Sequence, residues 1–163
     1  MYVIRPRYFI LYLPLILLAN TVFGQTRAQD SLSLRSFYTA TEGGQWLDDN
    51  NWNIGPLDYW YGISLENNLV WDVILPGNNL TGSITSSDFP IDHALGTVNL
   101  SDNHIDNIPD SINAESLNVG GNSLTFEDLY PYKSDMSLRY ANQDSVEMRL
   151  TVFAAHRGQL TLE

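Results

Sequence analysis

The chain has 163 residues, no cysteine, and 19 acidic against 8 basic side chains, a formal net charge of −11. That length allows one modest domain with extensions. The acidity sets aside nucleic acid and anionic membrane surfaces as partners, since both would repel it, and the missing thiols leave a continuous hydrophobic core, or neighbouring domains of a longer parent, to hold the fold without disulfides.

At the N-terminus Arg5 and Arg7 precede an apolar run over 8–19, followed by "NTVFG". A basic start, about a dozen apolar residues and a small-residue boundary describe a secretory signal peptide over residues 1–24. Val22 and Gly24 fill the positions before cleavage, and cleavage after Ala28 is the alternative. An uncleaved anchor is the competing reading, although Pro14 interrupts the run and it falls short of the ~20 residues that cross a bilayer comfortably. No other segment is suited to span a membrane, so the expected product is secreted or displayed at the cell surface.

Residues 25–68 read as a helix, a tryptophan-bearing stretch and a hairpin. "DSLSLRSFYTATEGGQW" sets Leu34, Phe37 and Tyr38 at helical spacing, with Asp30 or Ser31 as N-cap and Gly43-Gly44 as the stop. Trp46, Trp52 and Trp60 follow, and "WYGISLENNLVWDVIL" reads as a hairpin joining a strand with Ile63 and Leu65 to the next one. The tryptophans either grip sugars or peptides, or shield the open end of a core with an apolar body and a polar edge.

Residues 69–126 carry a repeat. "VWDVILPGNNL", "LGTVNLSDNHI" and "AESLNVGGNSL" align on Asn78, Asn103 and Asn122, and each fits L-x-x-L-x-L-x-x-N-x-L. The pairs Val73/Leu75, Val98/Leu100 and Leu117/Val119 alternate with outward positions, as short half-buried strands require. The Asn then turns the chain, its amide satisfying backbone groups that the turn leaves unpaired. Stacked units would align the three Asn into a buried structural ladder. The longer return, "TGSITSSDFPIDHA", has room for a short helix. The shorter, "DNIPDSINA", suits an extended or 3₁₀ path, and Pro90 and Pro109 fit non-helical backbone there.

"NNLTGSI" resembles the N-x-L-x-G-x-I form of leucine-rich repeat found in plant receptor ectodomains and exported bacterial proteins, and the segment before it is similar to that family's N-terminal cap. The plant caps carry a cysteine pair that is missing here, which favours the bacterial branch. The resemblance covers roughly residues 30–126. It implies an α/β fold: a short right-handed leucine-rich repeat solenoid of about three coils, parallel β-strands on its concave side, a helical Trp-rich N-terminal cap and a β-rich C-terminal tail.

Residues 127–163 fit a terminal cap or linker. Phe126 and Leu129 are placed to cover the last unit, and Val146, Met148, Leu150 and Val152 alternate as a half-buried strand. A further strand starts at "HRGQLTLE"; the stretch resembles the linker and first strands of an immunoglobulin-like sandwich, so the chain is expected to be the N-terminal part of a longer protein or a truncated reading frame.

Chemistry is sparse. Asp102, His104 and Asp106 alternate like metal ligands, yet Asp and Asn are equally favoured there as turn formers, and "DDNN" at 48–51 matches no calcium loop. Gly120-Gly121 lacks the strand-to-helix context of a phosphate loop. The sequons at Asn79 and Asn99 read as coincidences of an Asn-rich repeat. No catalytic residue, cofactor or metal site is expected.

What remains is a surface. Asp72, Thr97 and Ser116; Ile74, Asn99 and Asn118; Pro76, Ser101 and Gly120 form outward rows, with Trp71 and Ile74 as apolar anchors. The expected ligand-binding face is therefore Trp71, Asp72, Ile74, Thr97, Asn99, Ser101, Ser116 and Asn118, gripping a protein ligand without catalysis. The alternatives are a targeting or spacer region of an exported enzyme, and a carbohydrate-binding module built on the tryptophans.

Overall fold

The computed structural model describes residues 26–90, 93–132, 138–141 and 143. The expected signal peptide and the strands expected over 146–152 and 156–163 lie outside the described residues.

The first helix, α1, spans Arg27–Ala40 and starts earlier than expected. Thr26 is its N-cap, in a capping box where Gln29 Oε1 accepts the Thr26 N–H at 2.9 Å and Thr26 Oγ1 accepts the Gln29 N–H at 3.3 Å. Thr-x-x-Gln is the reciprocal pattern that fixes a helix start. The N-cap therefore precedes both Asp30 and Ser31. Asp30 is instead fully buried within α1, and its Oδ2 accepts the Val70 N–H at 2.8 Å. The helix also stops before the glycine pair, because Thr41 caps Phe37 and Glu42 takes the left-handed conformation, φ 55°. Gly43–Gln45 then form a 3₁₀ turn.

The apolar side of α1 lands on an aromatic cluster. The Phe37 ring, wholly buried, meets Trp46 at 5.7 Å and Phe89 at 5.6 Å edge-on, and Trp52 at 6.1 Å. Trp52 leans on Trp60 at 4.9 Å. Indole N–H groups of Trp46 and Trp52 donate to the carbonyls of Thr41 and Tyr61, and the Arg35 guanidinium covers Trp60 at 5.3 Å. Tyr38 donates its hydroxyl to Asp49, and burial, then that carboxylate, push its phenol pKa up.

Strands β1, Ile63–Glu66, and β2, Leu69–Ile74, form the expected antiparallel hairpin. Asn67 and Asn68 both sit at positive φ (50° and 67°), as a two-residue turn matching the strand twist demands. Beyond β2 the chain crosses to a short strand β3, Thr81–Ser83, and returns to β4, Leu95–Asn99. It repeats the excursion through β5, His104–Asn107, back to β6, Ala114–Asn118. A one-turn helix α2, Phe126–Leu129, precedes β7, Leu138–Arg139.

The large sheet has the order β1-β2-β4-β6-β7, parallel everywhere except the first pair, and β3 and β5 form a second parallel ladder. The fold is thus mixed α/β with a mostly parallel sheet. Between the two ladders lie Val73, Leu75, Val98, Leu100, Leu117 and Val119 from one side and Leu80, Ile84, Ile105 and Leu124 from the other, all without exposed surface. Leu129 is buried beside the last pass, whereas Phe126 is only half-buried.

Asp88 clasps the first return to α1. It ends a 3₁₀ turn at Ser86–Asp88, accepts the Thr85 N–H (2.9 Å) and hydroxyl (2.6 Å) on Oδ2, and accepts the Ser36 hydroxyl on Oδ1. Burial pushes its carboxyl up, but the Ser36 and Thr85 hydrogen bonds together hold it below the ordinary aspartate value. A depressed folded-state pKa stabilises above the unfolded-state pKa, and the contribution vanishes as pH falls through the folded value. Asp88→Asn is expected to cost about 1–2 kcal/mol at neutral pH in urea unfolding. The difference should close in acid, below the usual carboxylate range; a difference that persists there would contradict this role.

Candidate functional site

The three repeat asparagines are buried, at 3%, 2% and 0% exposure for Asn78, Asn103 and Asn122. Each amide reaches back to the preceding pass of the chain. Asn103 Oδ1 accepts the N–H groups of Asn78 (2.9 Å) and Leu80 (3.0 Å), while its Nδ2 donates to Leu75 O and Leu100 O, both at 2.9 Å. Asn122 repeats the pattern one pass on, accepting from Ile105 N and donating to Leu100 O and Val119 O. Asn78 likewise reaches back, accepting the Asp48 N–H on Oδ1 and donating Nδ2 to the Asp48 carbonyl. These bridges fix the spacing at which neighbouring strands present their outward side chains.

The structure adds a fourth member that the sequence reading missed. Gln143 Oε1 accepts the Leu124 N–H at 3.0 Å and its Nε2 donates to Val119 O at 2.8 Å, the same two duties one pass later. The pass that carries it pairs Leu138 with Leu117 and Arg139 with Asn118. Its signal was a leucine 21 residues after Leu117, hidden because Gln stands where the pattern requires Asn.

On the outward side, Ile74, Asn99, Asn118 and Arg139 fall in one register row across β2, β4, β6 and β7. Asp72, Thr97 and Ser116 make the row beside it. Asp72 is held from two sides: Thr97 N–H donates to Oδ1 at 2.8 Å and the Ser64 hydroxyl to Oδ2 at 2.6 Å. Asn99 and Asn118 each accept, on Oδ1, the N–H two residues on, from Ser101 and Gly120. Their Nδ2 groups make no further bond among the described residues.

Two expected members of this face are placed differently. Ser101 is buried, at 8% exposure. It lies past the end of β4 at Asn99, so the alternation of a strand no longer governs it, and its N–H folds back onto Asn99. Trp71 is half-buried, with its indole packed over the next strand at Gly96, where a Cβ would overlap the ring. Only a residue without a side chain permits that approach. Trp71 therefore spends one face inside the protein, leaving Ile74, 41% exposed, as the stronger apolar anchor.

Beside Ile74 the hairpin opens into a depression of about 360 Å³ bounded by Tyr61, Gly62, Ser64, Asp72, Ile74 and Pro76. At the Arg139 end a second one, of about 270 Å³, is lined by Asp102, Asn118 and Gly121. Trp46, Trp52 and Trp60 are at most 8% exposed and offer no open ring face for a sugar.

The remaining sites go to structure. Asp102 sits at φ 57° in a turn, Asp106 accepts the Ser83 hydroxyl, and His104 points to solvent on the second ladder. Among the described residues no group of three or more His, Asp or Glu is placed to hold a metal, and no helix is long and apolar enough to cross a membrane. Asn79 uses its amide on Gln45 O. The sequence reading also missed His93, whose Nε2 donates to Val70 O at 2.7 Å, so that Val70 is clasped through both backbone groups by His93 and Asp30.

Comparison of the chain with protein-family models, with curated proteins and with solved structures finds no match.

Proposed function

We propose that residues 25–126 form a short leucine-rich repeat solenoid, capped by α1 and the tryptophan cluster and exported through residues 1–24, which binds a protein partner without catalysis. The solenoid reading is supported by the regular passage between the two ladders and by amides that each satisfy the neighbouring pass, the arrangement in which stacked units stabilise one another. The binding reading rests on the outward rows. Asp72, Ile74, Thr97, Asn99, Ser116 and Asn118 stand in register with at least part of each side chain in solvent, and rigid strands hold them at fixed spacing. Such a surface presents one apolar anchor and two amide donors already oriented, which reduces the ordering cost of association.

The test is affinity capture with the full chain and with an Ile74→Asp/Asn99→Arg double variant, run side by side at equal folded concentration. A partner held by the first and lost by the second is the expected result. Partners retained equally by both would rule out this face.

A further inference from the structure

We propose that the depression beside Ile74 receives a lysine or arginine side chain from an extended segment of the protein partner. The proposal rests on the binding reading above and names the chemistry that the face selects. Its observation is the pairing of an open apolar wall with one oriented carboxylate. Tyr61 (40% exposed), Ile74 (41% exposed) and Pro76 form the wall, and the volume of about 360 Å³ has room for a long side chain. Asp72 lies in its wall, and the Ser64 hydroxyl and Thr97 amide fix the carboxylate before any ligand arrives.

That charge has no cationic partner within the described residues. Arg27 pairs with Asp58, and Arg35 lies over Trp60. Arg139 stands three strands from Asp72's strand, about 14 Å at the usual ~4.8 Å strand spacing. That exceeds the physiological screening length of about 8 Å. A neutral or acidic side chain entering the depression would desolvate Asp72 and bring no opposite charge in return. A basic one resolves this. Its methylene stem packs on Ile74 and Pro76, and its cation meets Asp72 and the Tyr61 ring. The chain's net charge of −11 favours encounter with such a partner from a distance.

The experiment uses isotope-labelled full chain and four blocked alanine pentapeptides, with arginine, lysine, citrulline or norleucine at the centre. Saturable shifts of the Gly62, Ser64, Ile74 and Thr97 amides are expected with the arginine and lysine peptides only. Asp72→Asn should weaken binding about tenfold or more, and Tyr61→Ala severalfold. Equal binding of the citrulline peptide, shifts confined elsewhere, or no shift at millimolar peptide would overturn the proposal. Should Asp72→Asn unfold the chain, exposed Tyr61 decides: unchanged affinity in Tyr61→Ala overturns it. A protein partner lost with the Ile74/Asn99 pair but kept by Asp72→Asn would leave the face standing and remove this reading alone.

Discussion

Asn103→Ala is expected to destabilise the fold by about 3–6 kcal/mol, a large share of the ~5–15 kcal/mol available to a domain of this size. The alanine leaves two buried N–H groups, on Asn78 and Leu80, and the Leu75 carbonyl without the partner that now satisfies them. Each orphaned group costs about 1–3 kcal/mol, because water cannot reach it. Asn79→Gly is the control, because Asn79 sits at φ 61°, where glycine fits and alanine would be strained. Its one side-chain bond, to Gln45 O, is exposed, and its loss should cost under about 1 kcal/mol. Asn103→Asp separates the donor half from the acceptor half. It keeps an acceptor for the two N–H groups but turns a carboxylate toward the carbonyls of Leu75, Leu100 and Ser101. That variant should gain stability as pH falls, since protonation restores one donor. Urea unfolding followed by circular dichroism measures all three. An Asn103→Ala midpoint within error of wild type would mean that the ladder is ornamental.

The same ladder explains what the sequence allowed one to see. Asn78, Asn103 and Asn122 were legible because few residues can both accept two backbone N–H groups and donate to neighbouring carbonyls at one buried point, so the position tolerates little variation. The pass at Leu138–Arg139 was not, since the longer Gln143 performs that duty at the position where the pattern requires Asn. Alternation correctly placed Ile74 and Asn99 outward, for they lie within strands. It misplaced Ser101, which lies beyond one. The helix start was missed because Asp30 is a good N-cap by residue type. Its carboxylate was required elsewhere, on the Val70 amide forty residues away, and local pattern holds no trace of that partner. The depression beside Ile74 was invisible for a related reason: Tyr61, Ser64 and Asp72 meet only after the hairpin has formed.

That dependence of the face on the hairpin and the aromatic cluster behind it makes Phe37→Ala the second large expectation, a loss of about 3–5 kcal/mol. Phe37 is wholly buried and, among the described residues, is the one ring that touches Trp46, Trp52 and Phe89 together, so truncation removes both buried area and three aromatic pairs. The consequence should travel. Trp52 donates to the Tyr61 carbonyl at 2.9 Å and the Tyr61 N–H donates to Asn50 at 3.0 Å, which ties the wall of the depression to the cluster that Phe37 supports. Thermal unfolding should therefore show the tryptophan emission of Phe37→Ala shifting to the red at a lower temperature than in wild type. Because the inner edges of β2 would lose their cover, the loss of circular dichroism should coincide with it. Phe37→Leu, which refills part of the space, should recover about half of the lost stability. An emission change well ahead of the dichroism change would instead make α1 and the aromatic cluster a separate folding unit, and the outward face would then survive its loss.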